Sequence, residues 1–133
     1  MAKEKIGSNA IFTGPQQGLS ILGNHCYAYS GENSVDNTEA FLLNFQSAGK
    51  RYIMAEVTLG SKAQENEDYE FKIYFNGSIV FGSTFGNQGA HYIGNWPIPI
   101  MIPPATEVKM SLQNIADTDN RTWTAHIVGK VYE

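Results

Sequence analysis

Apolar and polar residues alternate with period two through most of this chain, and helical spacing is nearly absent. In residues 38–46, Phe41, Leu43 and Phe45 share one face. In 52–60, Ile53, Ala55, Val57 and Leu59 oppose Met54, Glu56 and Thr58. Residues 69–75 set Tyr69, Phe71, Ile73 and Phe75 against Glu70, Lys72 and Tyr74. Residues 106–114 set Val108, Met110 and Leu112 against Glu107, Lys109, Ser111 and Gln113. In 122–132, Trp123, Ala125, Ile127, Gly129 and Val131 oppose Thr122, Thr124, His126 and Lys130. With shorter segments at 25–29, 78–81 and 97–102, this predicts about eight strands, and a further one is open near Ile11 and Phe12. Strands at this spacing, separated by turn residues, predict an all-β antiparallel sandwich, jelly-roll-like in form.

The turns agree with this reading. Asn76-Gly77 between two apolar runs is the strongest short hairpin signal, because both residues tolerate the positive φ of a type I′ turn. Residues 47–51 and 116–121 read as turns, and 60–68 as a polar connection. Residues 97–104, PIPIMIPP, pose a conflict: isoleucines alternate as in a strand, yet proline has no N–H for a ladder. Pro97, Pro99 and Pro103 remove donors from one edge only. Ile98, Ile100 and Ile102 keep theirs on the other and share a core-facing side. The segment is therefore expected as an edge strand, blocked on its open side.

At 133 residues the chain fits one domain with a sizeable core. Residues 1–18 are polar and end in a Gly-Pro break, so they are expected as an arm, with a single sandwich over 19–133. The competing view makes Ile11 and Phe12 the first strand of that sandwich. A net charge of −4 and no basic stripe argue against nucleic acid as partner. Cys26 is alone, which precludes an intramolecular disulfide. The leader carries no apolar run long enough for a secretion signal, and no stretch approaches a membrane span, so synthesis in a cytoplasm is expected. Asn76-Gly-Ser and Asn120-Arg-Thr then read as turns rather than glycan acceptors.

Catalytic chemistry finds little footing. His25, His91 and His126 lie on three separate segments, and no nucleophile elbow is present. Cys26 and His25 are neighbours on a strand, so their side chains point to opposite faces. Asp117, Asp119 and Asn120 lack calcium-loop spacing and read as turn formers. Neither an enzyme nor a metal or cofactor site is expected. Residues 82–96, with four glycines and with Phe85, His91, Tyr92 and Trp96, read as the longest loop and a candidate recognition surface.

Three stretches carry a resemblance: FKIYFNGSIVF (71–81), NWPIPIMIPPATEVKMSLQN (95–114) and TWTAHIVGKVYE (122–133). Over residues 69–133 their order resembles the small β-sandwich virion proteins of tailed bacteriophages, of the capsid decoration (cement) or minor capsid type. The resemblance implies a jelly-roll-like sandwich, a structural role in the virion, and homo-oligomers with trimers favoured. Major capsid protein or another virion protein is the implied partner. Ile11 and Phe12 would then anchor the arm on a neighbouring subunit or the lattice. Leu42, Met54, Tyr74 and Met101, apolar residues left on second faces, are candidates for contacts between copies. The other function class is a lectin-like module binding carbohydrate or a receptor through the aromatics of 82–96.

Overall fold

The structure, a computed structural model, describes residues 11–12, 19–47, 49–61, 67–88, 91–93 and 97–132. These form twelve strand segments: β1 (Ile11–Phe12), β2 (Ser20–Leu22), β3 (His25–Tyr29), β4 (Asn33–Val35), β5 (Ala40–Gln46), β6 (Tyr52–Ser61), β7 (Glu67–Phe75), β8 (Ser78–Gln88), β9 (His91–Ile93), β10 (Ile98–Ile102), β11 (Glu107–Asn114) and β12 (Arg121–Tyr132). One sheet has the order β1-β5-β11-β7-β8-β9. The other runs β10-β6-β12-β3-β2, with β4 also paired to β12. Every pairing is antiparallel. The four-strand runs β5-β11-β7-β8 and β10-β6-β12-β3 make the two sheets of a double Greek key, the jelly roll.

The eight expected strands are all present, and their inner residues fill the space between the sheets. Trp123 lies at 1% exposure, with its ring centre 4.7 Å from that of Tyr69 and 5.7 Å from that of Phe85. Ile127 and Val131 are buried on the same face, as the alternation requires. The chain crosses between sheets at most connections, because each sheet hides its apolar face only against the other. The β7–β8 hairpin stays within one sheet. Asn76 (φ 51°) and Gly77 (φ 85°) form its two-residue turn between paired Phe75 and Ser78. Strand β10 lies at the sheet edge, paired to β6 alone, with Ile102 fully buried and Pro99 and Met101 exposed. The missing N–H of Pro99 therefore costs no ladder bond.

Polar side chains tie the crossovers. Ser47, 4% exposed after β5, donates from Oγ to the Pro103 carbonyl (2.7 Å) and accepts from the Thr106 N–H (2.9 Å). This pins the β5–β6 corner to the β10–β11 turn. Buried Asn114 donates to Asp117 Oδ1 (2.9 Å) and accepts from the Ala116 N–H (2.9 Å), while Asp117 Oδ1 accepts from the Asp119 N–H (2.9 Å). Residues 116–120 are thus held by turn chemistry, as expected.

Four expectations need correction. Alternation puts Phe41 on the face of Leu43 and Phe45 and Leu42 on the second face, but Leu42 is buried and Phe41 exposed. The register passes from Leu43 opposite Met110 to Phe41 opposite Ser111, leaving Leu42 as an extra residue, a bulge that turns it inward. Tyr74 is half-buried, and its hydroxyl is tied to Glu39. Residues 82–96, expected as a long loop, are largely strand: β8 continues to Gln88 and β9 folds back on it. Finally, Ile11 and Phe12, expected in an arm outside the sandwich, form β1 on the edge of β5, opposite Gln46 and Phe45. Strand β5 offers its outer row of backbone groups there, and the backbone of Ile11 and Phe12 pairs with it.

Candidate interaction face

Of the expected recognition residues, Phe85 belongs to the core, while Ile11 and Phe12 lie apart from the β8–β9 pair. Phe85 is 5% exposed and packs on Tyr69 and Trp123, because β8 turns every second residue (Phe81, Ser83, Phe85) toward the core. His91 and Tyr92 belong to β9, with backbones opposite Gln88 and Asn87. Trp96 lies outside the described residues. Ile11 and Phe12 sit at the far edge of the same sheet. Among the described residues, no three His, Cys, Asp or Glu side chains gather as a metal site. Cys26 is fully buried, and burial pushes its thiol up to about 11, which makes it unreactive near neutral pH.

A different surface stands out. The outer face of β10, β6, β12 and β3 carries Met101, Met54, Val128, Tyr132, Tyr27 and Tyr29, each at least 40% exposed. These are six of the ten large hydrophobic side chains exposed among the described residues, so the exposure is gathered on one face rather than scattered. They arise from the outward positions of four strands, where period two normally places polar groups. Register sets Met101 beside Met54, Met54 beside Lys130, and Lys130 beside His25; the next row holds Pro99, Glu56, Val128 and Tyr27. Tyr52 and Tyr132, also opposite one another, stack at 5.4 Å. A shallow groove of about 550 Å³ crosses the face, walled by Met54, Pro99, Met101, Val128 and Tyr132. Contiguous apolar exposure with a few charges is the composition of a protein contact. Met54 and Met101 were legible as surface apolar residues. Val128, Tyr27 and Tyr29 carried the same outward signal on their strands but were missed.

The outer face of the opposite sheet is chemically distinct. The Glu39 carboxylate accepts from Tyr74 (2.6 Å) and Ser111 (2.5 Å). Burial pushes the Glu39 carboxyl up, but the Ser111 and Tyr74 hydrogen bonds and the Lys72 charge outweigh it and hold the group below its ordinary value. The bond to that carboxylate raises the Tyr74 hydroxyl. Beside them Phe41 leans on Tyr74 at 5.8 Å, with Lys109 Nζ 5.7 Å from its ring centre. These groups satisfy one another, so the cluster reads as a clamp on the strands that carry it.

No known protein-family model matches the sequence, and no curated protein matches it. Among solved structures, the chain is similar to one in the structure of the infectious bursal disease virus Gx strain, at 14% identity and a TM-score of 0.45. That likeness covers 92% of this chain and 36% of the other, so this chain spans about a third of its length. Likeness at this level identifies no family.

Proposed function

We propose that this chain is a non-enzymatic structural protein of a virion, a capsid decoration or minor capsid component that binds a protein lattice and copies of itself. It is made in a host cytoplasm and resides in the particle. The observation that carries this reading is the outer face of β10-β6-β12-β3, which exposes methionine, tyrosine and valine where a free-standing sandwich keeps polar groups. Such a surface suits permanent contact. The sequence resemblance over residues 69–133 supplies the setting. The lectin-like alternative drew on the aromatics of 82–96, and it loses support because Phe85 is a core residue.

The test is stoichiometric. Purified particles from the source of this sequence, analysed by quantitative mass spectrometry and electron microscopy, should contain the chain at a fixed ratio to the major shell protein. Its absence from such particles, or binding on a glycan array lost on Tyr92→Ala, would sink the proposal.

A further inference from the structure

We propose that two copies of this chain pair face to face across a two-fold axis lying in the outer surface of the β10-β6-β12-β3 sheet. The pattern of that surface is complementary to itself. Glu56 lies opposite Val128, and Met54 lies opposite Lys130, on neighbouring strands. All four side chains are exposed. At strand spacing and rise they form a rectangle about 5 Å by about 7 Å. The two charges occupy one diagonal and the two apolar residues the other.

A two-fold axis along the Met54–Val128 diagonal places each of these residues against its own twin. The same rotation sets Glu56 of one copy against Lys130 of the other, and Lys130 against Glu56. An isologous contact requires this reciprocity. Met101 and Tyr27 flank that diagonal, about 4 Å to either side of the axis, since Met101 pairs with Met54 and Tyr27 with Val128. The apolar residues Met101, Met54, Val128 and Tyr27 thus span all four strands across the contact, with only Met54 and Val128 on the axis. Pro99, on one flank, meets the His25 and Lys130 row of the second copy. The strands of the two copies would cross at about 70°, nearer the orthogonal class of sheet packing than the aligned one. Unbranched Met54 and Met101 adapt to fill the groove.

Edge association through β10 is closed, because Pro99 offers no N–H to an added strand. Four strands over the seven residues from His126 to Tyr132 give about 400 Å² of plane per copy. Projecting side chains raise the accessible area, so two copies together approach the ~1,200 Å² at which specific interfaces begin. The resemblance implied trimers, whereas the symmetry of this face is two-fold. The pairing needs no virion, so its test is separable from the proposed virion role: a dimer absent from particles removes that role alone, and a monomer present in particles removes the self-association and leaves the binding to a lattice.

Sedimentation equilibrium of the full chain at about 1 to 100 μM should give twice the chain mass, within the affinity range of ordinary interfaces. Val128→Asp puts like charges against each other on the axis and should yield a monomer. Glu56→Lys or Lys130→Glu alone should weaken association by about tenfold or more, and the two together should return it to within about threefold of the parent. Ile79→Glu, exposed on the other sheet, should change nothing. Circular dichroism melts confirm that each variant folds. A monomeric or trimeric parent overturns the proposal, as does a dimer that survives Val128→Asp or a double swap that fails to restore pairing.

Discussion

Gly129→Ala should destabilise the fold, although a methyl group in a strand ordinarily helps. Replacing glycine by alanine within a regular element is worth about 0.5–1 kcal/mol, chiefly through backbone entropy. Gly129 lies in β12 between β6 and β3, opposite Ala55 on one side and Cys26 on the other. A Cβ there would stand 2.5 Å from the Met54 carbonyl oxygen, 2.6 Å from Ala55 Cβ and 2.7 Å from Ala55 Cα. Ordinary contact begins near 3.4 Å, so the two central strands must separate by several tenths of an ångström. Overpacking of this kind costs about 1–3 kcal/mol, which outweighs the entropic gain. With a urea slope of about 1–3 kcal/mol/M, the midpoint should fall by about 0.5–1 M. Gly82→Ala is the internal control: a Cβ at Gly82 meets nothing within 4 Å, so this variant should match or slightly exceed the parent. Ala55→Gly in the Gly129→Ala background should recover only part of the loss, because the Met54 carbonyl remains. Urea titrations at one fixed protein concentration decide it. Gly129→Ala as stable as Gly82→Ala would refute the close approach of β12 and β6.

Trp123→Ala should cost about 3–5 kcal/mol, as for a large buried aromatic, and loss of less than about 1 kcal/mol would mean that β12 presents its other face to the core. Ser47→Ala should cost about 1–3 kcal/mol, because the buried Thr106 N–H and the Pro103 carbonyl both lose a partner; a neutral outcome in thermal melts would show that this corner is not pinned there. Glu39 has a depressed folded-state pKa, so its contribution is present above its unfolded pKa and is lost as pH falls through the folded one. Glu39→Gln should therefore flatten the decline of melting temperature on acidification below the usual carboxylate range, and an unchanged acid limb would dismiss the clamp.

The alternation of side chains determined the strands themselves, since period two assigns each residue to a face wherever one face is buried. That is why Trp123, Ile127 and Val131 could be placed in the core, and why Asn76-Gly77 and the prolines around Ile98 and Ile100 marked a hairpin and an edge. These are local properties, decided by dihedral preference and by the presence or absence of an N–H. Leu42 shows where local information ended: its inward turn depends on a bulge forced by pairing with β11, some seventy residues away. Phe85 shows it again, because a glycine-rich stretch becomes strand only when β7 supplies a ladder for it. The self-complementary face was less visible still. Met54, Glu56, Val128 and Lys130 stand on outward positions of two separate strands, and alternation says nothing about which strands are neighbours or in what register. The pairing of β6 with β12 alone put the charges on one diagonal and the apolar residues on the other, and a register slip of two residues would keep every side chain on its face while dissolving that pattern.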